Sequence, residues 1–403
     1  MVSVSGPAST TMRPATRAPR PLALLIALLA ACGETTGSVV VVPAGLGGPL
    51  PSLVDPQRYK FERGVAFFDR VYTPEMGLGP LFNGRSCVEC HNQPVRGGGG
   101  AQTGVHATAF RDGVCHDLGE VGGPVIQSSV TPALRDALGI EQEPIPAEAT
   151  AIGVRTTPAI WGSGLLDAVP DSVLLALADP DDRDGDGVSG RATRALDGRV
   201  GRFGRKAQVA SLWGFMAEGF AMEMGITNPL IPFEQTVAGR PFPPGVDPTP
   251  DDEIWHDSLS VADAFVRWSA PPEPDGPAML LFQGRGIFLG VGCAACHTPE
   301  LRTGAHPVAA VRDRAVPAYT DLLLHDMGPD LADICVGQAL PEEFRTEPLW
   351  GLRFRSAFLH DGRATTIDAA IRLHAGEARG ARERYLARSA EERTILLRFL
   401  ESL

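Results

Sequence analysis

The chain has 403 residues, 44% hydrophobic and 21% charged, which excludes a disordered protein and suggests two or three domains. A formal net charge of −12 excludes a protein that holds nucleic acid on a basic face, and no apolar run reaches the length of a membrane-spanning helix. Seven cysteines in so long a chain exclude a small disulfide scaffold, and 46 glycines and 35 prolines predict long loops.

Arg13, Arg17 and Arg20 precede the apolar run Leu22–Ala31, which has the length of the hydrophobic part of an export signal. Nothing before Met12 is signal-like, so Met12 is a candidate start. The run ends in Leu29-Ala30-Ala31-Cys32, which resembles a bacterial lipobox. On that reading residues 1–31 are a signal peptide and Cys32 becomes the lipidated first residue; the alternative is an ordinary cleavage site. Lipid chains, at about 0.8 kcal/mol per buried methylene, would hold the protein on a bacterial membrane, facing the periplasm or the cell surface. Residues 32–55 are rich in Gly, Pro, Ser and Val and read as a flexible tether. Loss of residues 1–31 removes three arginines and no acid, which moves the charge from −12 to −15.

Cys87-Val88-Glu89-Cys90-His91 is a C-x-x-C-H motif, and Cys293-Ala294-Ala295-Cys296-His297 is a second. Two thiols on one helical turn reach the vinyl groups of one haem and form thioethers, and the adjacent His faces the iron. Zinc is the competing ligand for such residues. Two copies, each with His directly after the second Cys, favour two covalently bound c-type haems, with His91 and His297 on the irons.

The surroundings of the motifs repeat. Leu81-Phe82-Asn83-Gly84 precedes the first and Ile287-Phe288-Leu289-Gly290 the second. Downstream, Arg155-Thr156-Thr157-Pro158-Ala159-Ile160-Trp161-Gly162 is echoed, one residue shorter, by Arg345-Thr346-Glu347-Pro348-Leu349-Trp350-Gly351. This predicts two related haem domains, residues 56–270 and 278–403, joined by a Pro-rich linker at 271–277. Ser172–Ala178, Leu259–Trp268, Thr366–His374 and Ala390–Leu400 have helical patterns, and no sustained two-residue alternation stands out. The expected fold is mainly α, with two cytochrome c-like haem domains, the first enlarged by loop insertions.

Between the motifs, Asp182, Asp184 and Asp186 alternate and are followed by Gly187, as in the first half of a calcium loop. The twelfth position is Thr193 rather than Glu, so Asp179, Asp181 or a later acid would have to complete the site; a solvated turn is the alternative. Cys115 and Cys335 remain, either paired or each free.

Arg345-Thr346-x-Pro348, Phe358-Leu359-His360-Asp361-Gly362-Arg363-Ala364 and Thr366-Ile367-Asp368-Ala369-Ala370-Ile371 resemble the second haem domain of bacterial di-haem cytochrome c peroxidases and MauG-type enzymes. Phe82–Cys87, Gly97–Gly100, Leu324-His325-Asp326-Met327-Gly328 and His374-Ala375-Gly376-Glu377-Ala378 make the chain most similar to the di-haem oxidoreductase, or thiol-oxidoreductase-like, group. The resemblance covers residues 56–403.

It implies several residue roles. His374 stands where the peroxidases carry a Met ligand and MauG-type enzymes a Tyr, so the second iron is expected to take His297 and His374, with a potential below that of a Met-ligated haem. His106, fifteen residues past His91, lies near the offset of a displaceable ligand of the first iron, or is a loop residue. Met222-Glu223-Met224-Gly225 resembles the segment that supplies the acid–base group, which makes Glu223 the catalytic candidate. Trp161 and Trp350 are read as core residues, and His325 and Met327 as loop or supporting residues. The implied function is a peroxidase-like di-haem oxidoreductase that reduces hydrogen peroxide or uses it to oxidise a partner, with electrons passing between the haems. The reductant would be a small, basic electron-transfer protein, or the substrate a partner protein. The contrasting reading is a non-enzymatic di-haem electron carrier, and a third is a lipoprotein that keeps haem for structure alone.

Overall fold

In the computed structural model, residues 45–195 and 197–403 are described. The export signal, Cys32 and most of the tether lie outside the described residues.

Helix α1 (Asp55–Phe68) starts where Pro56 fixes the first turn and Gln57 Oε1 accepts the Val54 N–H. A sheet follows: β1 (Thr103–Arg111), β2 (Val114–His116), β3 (Val125–Ile126) and β4 (Ala151–Thr156). Strand β1 pairs antiparallel with all three, with Phe110 opposite Cys115, His106 opposite Val125, and Val105 opposite Val154. This sheet departs from the helical expectation. Ala107, Thr108 and Ala109 in β1 are all fully buried, so the strand carries no alternation to read.

Helices α2 (Asp171–Leu177), α3 (Leu212–Glu218) and α4 (His256–Trp268) complete the first half. The non-helical, proline-bearing stretch 270–277 leads to α5 (Ala278–Gly290). Beyond it lie the hairpin of β5 (Leu324–Asp326) and β6 (Glu343–Arg345), then α6 (Ile367–Leu373) and α7 (Ala390–Ser402). Helices α2, α4, α6 and α7 fall close to the four predicted segments.

Two helix pairs frame the motifs. Helix α1 crosses α4 at Gly64, where a β-carbon would lie 2.6 Å from Val261 O. Phe61 and Phe68 pack on Phe265, and Phe68 also faces the His91 ring. In the second half α5 packs on α7, and Phe288, Tyr319, Tyr385 and Phe399 form the core beneath the second motif.

The halves share their largest core. Phe61, Phe265 and Trp268 from the first pack with Leu301, Val311 and Trp350 from the second. Cys115 and Cys335, 220 residues apart, form a disulfide that ties β2 to the second half. Among the described residues no helix is long and apolar enough to cross a membrane.

Candidate functional site

Each C-x-x-C-H motif forms one tight turn. In the first, Ser86 Oγ accepts the Glu89 N–H, Glu89 Oε2 accepts the Arg85 N–H, and His91 N donates to Cys87 O. This reciprocal capping lets a four-residue helix hold together. The glycine run 97–100 wraps against it closely: a β-carbon on Gly100 would lie 1.9 Å from Cys90 O. In the second motif, His297 N donates to Cys293 O, and Arg384 Nε donates to Val291 O beneath the turn.

Three histidines share one arrangement. His91 Nδ1 is 2.9 Å from Pro158 O, His297 Nδ1 is 3.0 Å from Tyr319 O, and His374 Nδ1 is 2.8 Å from Ala370 O. A carbonyl only accepts, so each Nδ1 carries the proton and each Nε2 keeps its lone pair. That is the state in which imidazole binds a metal. Burial lowers the pKa of all three, that of His297 to about 4, and so keeps them neutral. Among the described residues only these three histidines place Nδ1 on a backbone carbonyl. The donor set therefore fits two haems: thiol pairs for thioethers, one imidazole for the first iron and two for the second.

Glu223 ends the helical turn Gly219–Glu223, which follows α3 directly. Its Oε2 accepts from Asn83 Nδ2 at 2.8 Å, and its backbone oxygen accepts the Asn83 N–H at 2.7 Å. Asn83 Oδ1 accepts the Ser128 N–H, which fixes the direction of the amide. Gln127, fully buried, donates to Met222 O. The carboxylate can be reached by water, yet desolvation by the surrounding protein raises its pKa, with the Asn83 bond opposing the rise. Its charge also raises the Cys90 thiol, which burial chiefly pushes up to about 11. Glu223 therefore lies beside the first motif.

His106 stands in β1, between β3 and β4. Burial and the Arg155 charge push its pKa down to about 3. Arg155 in turn pairs with the buried Asp333 at 2.8 Å. Met327 donates its N–H to Glu342 O from the loop after β5. Trp161 and Trp350 are both buried, and Trp161 Nε1 donates to Arg96 O.

Asp182, Asp184 and Asp186 are brought together, with carboxylate oxygens within 4.8 Å of one another. Of the acids named to complete the site, Asp179 pairs with Arg183; Thr193, at the twelfth position, is buried and donates to Ala207 O. Glu234, Asp247 and Asp251 form a second acidic cluster, at spacings that follow no loop motif. Sequence reasoning also missed Asn83 as the partner of Glu223, because the two are 140 residues apart.

A family model described as "Di-haem oxidoreductase, putative peroxidase" matches residues 145–246 and 256–403. No curated protein sequence matches the chain. Among solved structures, hydrazine synthase of Kuenenia stuttgartiensis aligns at 15% identity and a TM-score of 0.37, over 96% of this chain and 100% of that one. A MauG-like protein associated with microbial copper homeostasis aligns at 16% identity and a TM-score of 0.38, over 90% of this chain and 94% of that one. Because the family match extends over more than half of its residues, the chain belongs to the di-haem oxidoreductase family.

Proposed function

We propose that the protein is a peroxidase-like di-haem oxidoreductase, with covalent haems at Cys87/Cys90 and Cys293/Cys296, and with Glu223 as its acid–base group. The observation that carries the reading is the position of Glu223 beside the first motif, held by Asn83 from that motif's own leader segment. When bound, each haem supplies a redox-active iron, and two external electrons with two protons convert one peroxide to two waters.

The chain's own residues do the rest. His91 Nε2 and His297 Nε2 would each hold one haem iron, with the tautomer set by Pro158 O and Tyr319 O. His374 Nε2 would join His297 in holding the second haem, and the first haem, with His91, would keep a position for peroxide; His106 lies in β1 between β3 and β4. Asn83 Nδ2 occupies Glu223 Oε2, so Oε1 is the atom that takes a proton from one peroxide oxygen and returns it to the other. The departing oxygen leaves as water. A carboxyl with a raised pKa holds that proton more readily than one at the ordinary carboxyl value.

The same reading includes export, with lipidation at Cys32 and residence on a periplasmic or surface-facing membrane leaflet. The disulfide between Cys115 and Cys335 supports an oxidising compartment. The mature charge of −15 supports a small basic protein as electron donor. Calcium at Asp182, Asp184 and Asp186 is supported by the convergence of their carboxylates.

The test is peroxide reactivity followed optically in the purified holoprotein, wild type against Glu223→Gln. The expected result is a rate reduced by about 100-fold or more in the variant, as for loss of a general acid–base group. Equal rates remove Glu223 from the mechanism. Two low-spin haems in every redox state, with no peroxide reaction, leave the electron-carrier reading.

A further inference from the structure

His325, on β5, is 3% exposed and joins three parts of the second half. Its Nε2 is 2.8 Å from Asp321 Oδ2 and its Nδ1 is 2.8 Å from Glu377 Oε2. Cys296 Sγ is 3.5 Å from the same Nδ1. Glu377 is itself anchored: Ser189 donates to it from both Oγ (2.6 Å) and N (3.0 Å), and Asp326 N donates at 3.2 Å. Gly376 makes this possible. It has φ +53°, and a β-carbon there would lie 2.1 Å from Asp326 O, so only glycine lets the turn after His374 close onto β5.

A ring nitrogen that faces a carboxylate oxygen at 2.8 Å must donate. Both nitrogens of His325 do so, and the ring is therefore an imidazolium. Burial disfavours that charge, but the hydrogen bonds to Asp321, Cys296 and Glu377 outweigh it and push the pKa up to about 12. The same contacts, with Ser189, hold Glu377 down to about 2 against its own burial.

We propose that His325 is a positioning residue for the second haem, a fixed cation clamped by Asp321 and Glu377 against the Cys296 sulfur, and that this three-charge clamp sets the haem's reduction potential. The proposal rests on the reading that haem is attached at Cys293 and Cys296. One-electron reduction removes a positive charge from the iron, so a nearby cation favours the reduced state and a nearby anion the oxidised state. His325 would act on the haem through the Cys296 sulfur, and Glu377, three residues past His374, ties the clamp to the segment that carries that imidazole.

The test is a redox titration of each haem in the full-length holoprotein, by absorbance and electron spin resonance, with haem content read separately by mass. His325→Gln removes the cation and is expected to lower the potential of the second haem. Asp321→Asn and Glu377→Gln each remove an anion and are expected to raise it, with the first haem unmoved in all three. Opposite signs are the signature of charge, which loss of a mere scaffold does not produce. Shifts of one sign across the three variants, or no shift with haem content intact, overturn the proposal. If His325→Gln does not fold, the two carboxylate variants still decide, since each must raise the potential. Wild-type protein with no haem at the second motif overturns the haem reading itself, a result the mass measurement separates from an unmoved potential.

Discussion

Trp161 and Trp350 are each set against the glycine that follows the other. A β-carbon on Gly162 would lie 2.5 Å from the Trp350 ring, and one on Gly351 would lie 3.5 Å from the Trp161 ring. Both glycines have positive φ, 73° and 76°, and both belong to the repeated segment that follows each motif. The repeat thus comes together as a pair. Gly162→Ala combines left-handed backbone strain with a direct clash and should cost about 2–4 kcal/mol. Gly351→Ala meets only ordinary contacts and should cost about 1–2 kcal/mol, chiefly from its φ. Thermal unfolding should rank Gly162→Ala below Gly351→Ala; the reverse order would contradict this geometry.

Asn83 is fixed in direction because its Oδ1 takes the Ser128 N–H and its Nδ2 therefore points to Glu223. Asn83→Ala should lower the peroxide rate about tenfold, the usual worth of one hydrogen bond to a charged group. Asn83→Asp should lower it further, because a second carboxylate replaces the donor. Haem content should match wild type in both. An undiminished rate in Asn83→Asp would show that the bond does not serve Glu223.

Stability should depend on pH through Glu143, which is 1% exposed. Burial pushes its carboxyl up to about 8, and the Gln127 N–H, which donates to it, opposes that rise. The folded value lies above the unfolded value near 4.5, so its contribution is fully present below pH 4.5 and is lost as pH rises through 8. Glu143→Gln keeps the shape and cannot ionise. Denaturant unfolding at pH 5, 7 and 9 should therefore show a smaller loss on raising pH in the variant than in wild type. Parallel curves would mean that Glu143 ionises as freely in the fold as outside it.

His374→Ala should change the spectrum of the second haem and leave the first alone. The His374 ring is held by Ala370 O at the end of α6. Its removal should replace a low-spin signal by a high-spin one in electron spin resonance. Retention of the low-spin signal would assign the ligand elsewhere.

What could be read from the sequence is what chemistry writes contiguously. A thioether pair and its imidazole must share one turn, so Cys87–His91 and Cys293–His297 are visible as strings. Helix α6 can be read along the chain in the same way, because its apolar face repeats every three to four residues and ends at His374. Asn83 with Glu223, and His325 with Glu377, are joined only by folding, across 140 and 52 residues. The sheet was hidden for another reason: β1 is buried on both faces at Ala107–Ala109, so hydrophobicity does not alternate along it.

The bond between Cys115 and Cys335 has a consequence for biogenesis. A chain exported from its N-terminal end brings Cys115 into the oxidising compartment before its partner, 220 residues later, arrives. Throughout that interval its nearest thiols along the chain are Cys87 and Cys90. Capping those two early would remove the wrong partners before the right one arrives, which makes the sequence of cysteine modifications, and not only their final pattern, a property the cell has to control.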